Sequence, residues 1–93
     1  MKIRFTRKSQ ADLDQLRSFI SQDNPAAASR RVTRLLELSW ALADNPKEGR
    51  KTDEAGVHVL IVARLNYLIF YRLAETEIQI LHIRHTSRGR WQR

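Results

Sequence analysis

After Glu77 the chain carries no acidic residue, while Arg84, Arg88, Arg90 and Arg93 follow with His82, His85 and Trp91 among them. A guanidinium presents a planar fork of donors that matches phosphate or carboxylate oxygens, and an indole stacks on a base or fills a pocket in a protein. A solvated basic terminus carries the same residue types, so the pattern points to an anionic partner without naming one. His85 stands where an extended run opens into this basic segment, and an imidazole there has the titration range of a general acid or base. A surface histidine hydrogen-bonded to backbone is its ordinary alternative. On a strand, residues three apart face opposite sides, so His82 and His85 do not chelate one metal together. No third ligand has a fitting spacing, and the sequence implies neither a metal nor a cofactor.

Upstream of that segment the chemistry thins out. Tyr67 and Tyr71 share one side of a β-rich run with Ile69 between them, the pattern of core packing with hydroxyls reaching the rim. Arg64 and Arg72 flank that run and could extend the basic surface. Arg30, Arg31 and Arg34 form the outer side of a helical segment, either solvated or turned to an acidic partner. There is no Gly-rich phosphate loop, no Ser-His-Asp spacing and no carboxylate pair of a catalytic kind. The formal charge of +7 and pI near 10.8 likewise favour nucleic acid, an acidic protein or a membrane surface. With no cysteine, disulfides, thiolate catalysis and Cys-based zinc sites are excluded. Residue pattern alone therefore stops at a basic binding module or a small nuclease.

These side chains need a scaffold, and 93 residues allow one modest core, a single domain over 1–93 with a basic tail from about residue 86. Lys2 to Thr6 alternates and reads as a short strand with Ile3 and Phe5 inward. Ser9 with Asp12 fits a helix N-cap followed by an acid in the first turn. Leu13, Leu16, Phe19 and Ile20 then continue at helical spacing to about Asp23. Asn24-Pro25 stops one helix and starts the next. The second helix turns Ala28, Val32, Leu35, Leu36, Ser39 and Leu42 inward and ends at Asn45-Pro46. Pro46 to Gly56 reads as a loop. His58–Ala63, Tyr67–Leu73 and Glu77–His85 are rich in β-branched and aromatic residues and joined by short turns, so they pair as an antiparallel meander. The expected fold is α+β, in the order β-α-α-β-β-β, with a helical hairpin packed on a small twisted antiparallel sheet. No apolar run reaches bilayer-spanning length, and MKIRFTRKS lacks the apolar core of a signal peptide, so a soluble cytoplasmic protein is expected.

The order of these elements, together with DNPAAASRRV, DNPKEGR, YLIFYRL and IQILHIRHTSR, resembles the ParE/RelE superfamily of type II toxin–antitoxin toxins over roughly Ile3 to Arg88. The resemblance implies a RelE/ParE-like fold and a toxin from a plasmid-stabilisation module, neutralised by a cognate antitoxin whose C-terminal segment wraps it. RelE-like members cut messenger RNA in the ribosome with basic residues on the central strands; ParE-like members poison DNA gyrase. The positions aligned with the RelE-type basic residues are Val59, Ile61 and Leu68, whose aliphatic side chains neither stabilise a pentavalent phosphate nor accept a proton. The ParE-like branch is thus the expectation, with gyrase as target and Arg72, Arg84, His85, Arg88, Arg90 and Trp91 as the contact surface. The alternative is a ribosome-dependent endoribonuclease of the YoeB kind, using Arg64, His85 and Arg88. An antitoxin is expected in a groove between the helices and the sheet, setting acidic side chains against Arg30, Arg31 and Arg34. Apolar surface left bare without it would favour self-association.

Overall fold

The computed structural model describes residues 1–21 and 24–86, with the backbone alone for 19–21. The elements are β1 (Lys2–Phe5), α1 (Arg7–Ser21), α2 (Pro25–Ala41), β2 (Arg50–Lys51), β3 (Val57–Val62), β4 (Tyr67–Leu73) and β5 (Glu77–His85). The helical hairpin covers one face of a sheet ordered β1-β5-β4-β3-β2.

The sheet departs from the expected antiparallel meander at both edges. β1 runs parallel to β5, with Ile3 opposite Ile78 and Phe5 opposite Ile80. The loop after α2 contributes β2, which pairs antiparallel with Val59 and His58. β1 and β5 lie at opposite ends of the chain, and Arg50-Lys51 is too short and too polar to show an alternating pattern. The three central strands do form the meander, β3 on β4 and β4 on β5. Asn66 closes the first of these hairpins at φ 61°, a left-handed conformation that asparagine tolerates better than most residues. In the second, the register slips between Phe70 and Tyr71, so that Leu81 becomes an extra residue, a β-bulge that kinks β5.

Both helices start on side-chain caps. Asn24 Oδ1 accepts from the Ala27 amide at 3.1 Å, with Pro25 opening α2, as its sequence predicts. For α1 the cap is Thr6 and not Ser9: Thr6 Oγ1 accepts from the Ser9 amide at 3.2 Å, and Ser9 Oγ donates to Thr6 O at 2.9 Å. Ser9 is fully buried inside the first turn. The helix therefore begins at Arg7, and Asp12 lies one turn further in than a dipole-facing acid would. The far end of α1, expected near Asp23, falls outside the described residues. α2 ends at Ala41, one turn before Asn45-Pro46, through 3₁₀-like bonds from Leu42 to Ser39 and from Ala43 to Trp40.

Between hairpin and sheet, Leu13 and Leu16 of α1 and Val32 and Leu35 of α2 pack on Ile3, Tyr67, Ile69, Tyr71, Ile78, Ile80 and Ile83. Ile69, Ile78 and Ile80 are fully buried, each stabilising the fold by roughly 1.5–3 kcal/mol. Tyr71 also binds the loop that follows α2. Its hydroxyl donates to Pro46 O at 2.9 Å and accepts from the Gly49 amide at 2.8 Å. A Cβ on Gly49 would lie 2.7 Å from that hydroxyl and 2.8 Å from Val59 O, so only glycine allows the approach.

Candidate functional site

Because side chains alternate along a strand, β3 and β4 divide their residues cleanly between the two faces. His58, Leu60, Val62, Tyr67, Ile69 and Tyr71 face the helices; Val57, Val59, Ile61, Leu68, Phe70 and Arg72 face away. The outer face thus brings Val59, Ile61 and Leu68 together, with Ile61 directly opposite Leu68. This area is aliphatic, and Ile61 is 48% exposed.

Two concavities lie beside these strands. The larger, about 640 Å³, is a groove between α2 and the far half of β3, lined by Arg30, Arg31 and Arg34 on one side and by Leu60–Leu65 on the other. β2 pairs only with His58 and Val59. Past that point the outer edge of β3 has no neighbouring strand among the described residues. Arg30, Arg31 and Arg34 are all exposed, as their place on the outer side of α2 predicts. Arg34 reaches Glu37 at 3.3 Å, whereas Arg30 and Arg31 form no ion pair among the described residues. Among the described residues the groove is lined by α2, the edge of β3 with its following turn, and Glu48, and no residue of α1 lines it.

The smaller, about 500 Å³, lies on the outer face at the start of α1. It is lined by Lys8, Glu54, Arg72, His82 and Arg84 over a floor that includes Val57, Phe70 and Leu81. Arg72 is held at its rim by Glu54 Oε2 and Ala55 O, both at 3.3 Å. The His82 ring sits edge-on to Phe70 with centroids 6.2 Å apart, and its Nδ1 is buried without a hydrogen-bond partner among the described residues. Burial holds the His82 imidazole below its ordinary titration range; Asp12 opposes this, and Lys8 and Arg84 reinforce it.

The structure separates the residues that the sequence grouped at the chain's end. His82 faces outward opposite Phe70, whereas His85 faces the helix side opposite Tyr67, packed edge-on against its ring at 5.1 Å. The two rings lie on opposite faces of β5, as their spacing implies. Arg72 and Arg84 lie on the outer face with His82 and apart from His85. Arg64 sits in the β3–β4 turn and lines the α2 groove. That turn is tied to the end of β5 by the Thr86 amide donating to Asn66 O at 2.8 Å, which places Arg64 and His85 at one end of the sheet. Arg88, Arg90 and Trp91 lie outside the described residues. Sequence reasoning missed Lys8 and Asp12. The signal was present: Ser9, Asp12, Leu13 and Leu16 follow the i, i+3, i+4, i+7 stripe, so two polar residues sit on the buried face of α1 and require partners there.

A family profile described as the ParE toxin of the type II toxin–antitoxin system parDE matches residues 3–90. The candidate toxin Y4kP of Sinorhizobium fredii is 33% identical over 84 residues, covering 90% of this chain and 86% of its own. Toxin RelE2 of Caulobacter vibrioides is also 33% identical over 84 residues, covering 90% and 93%. Among solved structures, a chain of the chromosomal ParDE toxin–antitoxin system from P. aeruginosa superposes with a TM-score of 0.81 at 31% identity, over 91% of this chain and 95% of that one.

Proposed function

The chain belongs to the ParE toxin family of type II toxin–antitoxin systems, and from that premise we propose that it poisons DNA gyrase by binding it as a protein ligand. One observation carries this reading: the outer sheet face is aliphatic at Val59, Ile61 and Leu68. A ribonuclease of the RelE kind would need cations at those three positions to stabilise a pentavalent phosphate, and a group there to move a proton. A protein-binding toxin needs neither. The cationic side chains that remain on this face, Arg72 and Arg84, form the surface for the target together with Arg88, Arg90 and Trp91, which follow in the sequence, and His85 contributes from the opposite face.

An antitoxin partner comes with the family. We assign its neutralising segment to the groove between α2 and β3, where apolar side chains would cover Leu60 and Ile61 and acidic ones would meet Arg30, Arg31 and Arg34. The module acts in the cytoplasm, where gyrase and its DNA are, and serves to stabilise the replicon that carries it. Among the described residues no helix is long and apolar enough to cross a membrane.

The test is a relaxed-plasmid supercoiling assay with purified gyrase, read for linearised DNA. Loss of supercoiling with cleaved product is the expected result. If gyrase is unaffected by a large excess of the protein, the reading is overturned. Message cut in a translation extract would then assign the activity to the ribosome, with Arg64 and His85 at one end of the sheet as the residues to mutate.

A further inference from the structure

The groove between α2 and β3 is walled, among the described residues, by the guanidinium groups of Arg30, Arg31, Arg34 and Arg64 and by a single acid, Glu48. An anion in the wall of a cationic groove repels the acidic segment that the arginines attract. Glu48 is not neutralised from within the described protein. It is exposed and forms no ion pair among the described residues, while Arg34 turns to Glu37 instead. Its backbone is nonetheless fixed. The Glu48 amide donates to Asn45 O at 3.1 Å. On either side of it, the Tyr71 hydroxyl donates to Pro46 O and accepts from the Gly49 amide. Arg50, a little further along, pairs with Val59, so Glu48 stands at the end of the groove where β2 leaves the β3 edge bare. Arg64, in the turn after β3, marks the other end.

We propose that Glu48 determines antitoxin specificity by accepting a lysine or arginine of the neutralising segment, which therefore carries a cation at the β2 end of the groove and its acidic side chains towards Arg64. The inference rests on the assignment of that segment to this groove, and adds its charge pattern and its orientation. An entirely acidic segment would leave the Glu48 carboxylate facing like charge as docking removes water from the groove. A charge left unpaired on burial is costly. A cation at that place turns the repulsion into a charge-assisted hydrogen bond. Because Tyr71 and Gly49 hold the loop backbone, binding has to order little more than the Glu48 side chain. The same carboxylate acts against wrong partners. A segment with an acid there is repelled, and one with an apolar residue leaves the carboxylate desolvated without a partner.

The test measures binding of the full chain to the product of the adjacent antitoxin gene by surface plasmon resonance. Its outcomes differ in sign. If the segment offers a cation to Glu48, Glu48→Lys should weaken binding about tenfold or more, mostly through faster dissociation, and Glu48→Gln should weaken it less. If the segment is acidic throughout, both substitutions should tighten binding, because they remove an acid from a cationic groove. Glu75→Lys, in the β4–β5 turn, makes the same change of charge away from the groove and should leave binding nearly unchanged. Each lysine and arginine of the neutralising segment is then changed in turn to glutamate. One such antitoxin variant should prefer Glu48→Lys to the wild-type toxin, the coupling that a double-mutant cycle measures. Tighter or unaltered binding by Glu48→Lys, or the absence of any compensating variant, overturns the proposal. Ile61→Asp separates this outcome from the groove assignment. A weakened Ile61→Asp complex beside an unaltered Glu48→Lys complex leaves the antitoxin in the groove and removes only the role of Glu48, whereas no effect of either removes both.

Discussion

Asp12 on α1 accepts a hydrogen bond from the backbone amide of Ile83 on β5 at 2.9 Å, across the point where β1 has ended and β5 bulges. β1 pairs with β5 only as far as Ile80, and Thr6 extends the contact through its amide and hydroxyl to Ile80 O. Beyond that, β5 has no strand on this side among the described residues. The carboxylate supplies the acceptor that a longer β1 would have provided, and a buried amide without one would cost about 1–3 kcal/mol. One helix residue thus completes the sheet and fixes the start of α1 against β5.

Asp12→Ala should therefore destabilise the fold by about 2–3 kcal/mol, the range for a hydrogen bond to a charged group whose buried partner is left behind. Asp12→Asn keeps an acceptor and should cost less than half as much. Urea unfolding read by tryptophan fluorescence gives both values, with m unchanged. Equal stability of the alanine variant and wild type would show that the Ile83 amide finds another acceptor.

Gly49 and Tyr71 yield a second pair of expectations. Gly49→Ala places a methyl group against the Tyr71 hydroxyl and Val59 O, and the shift needed to relieve it should cost about 1–3 kcal/mol. Tyr71→Phe removes the donor to Pro46 O and the acceptor for the Gly49 amide. Burial raises the Tyr71 pKa above its ordinary value, the Gly49 hydrogen bond opposes this and Glu48 adds to it. A raised folded-state pKa gives stability that is complete below the unfolded value of about 10 and is lost as pH climbs through the folded one. Wild type should lose stability above pH about 10 more steeply than Tyr71→Phe, as alkaline melting curves would show.

The central strands and α2 were legible because their signals are local. β-branched and aromatic enrichment marks Tyr67–Leu73 and Glu77–His85 with their observed bounds, and Asn24-Pro25 sets the start of α2. What escaped depends on the partner strand and not on the segment's own pattern. The parallel pairing of Ile3 with Ile78 leaves no trace in either strand's own pattern, and Arg50-Lys51 becomes a strand only because β3 lies beside it. The same limit affects the site. The sequence gathers His82, Arg84 and His85 in one basic stretch, but the pleat sends His85 to the opposite face, and Lys8 joins His82 and Arg84 from the far end of the chain. Ser9 has the residue type of a cap, but Thr6, three residues earlier, carries the hydroxyl that accepts from the first-turn amide.

His82 predicts an acid-side instability. Its partly buried imidazole is neutral in the fold, facing Asp12 and Lys8 from α1, Arg84 on its own strand and Glu54 from the loop before β3. A depressed folded-state pKa gives stability that is present above the unfolded value of about 6.5 and is lost as pH falls towards the folded one. Thermal melts from pH 7 to pH 5 should show a declining Tm in wild type and a flatter profile in His82→Gln. Parallel profiles would place the acid sensitivity elsewhere.

The groove proposed for the antitoxin separates charge from apolar contact, and the two should separate in kinetics. Arg30, Arg31 and Arg34 are exposed on the α2 side, so they act at long range on an approaching acidic segment and less on the docked complex. Ile61, 48% exposed on the β3 side, is the apolar residue that docking would cover. Reversing all three arginines to glutamate should slow association about tenfold or more and abolish its salt dependence, with a smaller effect on dissociation. Ile61→Asp should leave association nearly unchanged and speed dissociation, since burying a carboxylate against Leu60 and Leu65 removes apolar area and adds a desolvation cost. Surface plasmon resonance with the product of the adjacent antitoxin gene measures both rates. Unaltered binding by the triple charge reversal would refute the electrostatic part, and an Ile61→Asp complex as long-lived as wild type would move the docking site off this edge of the sheet.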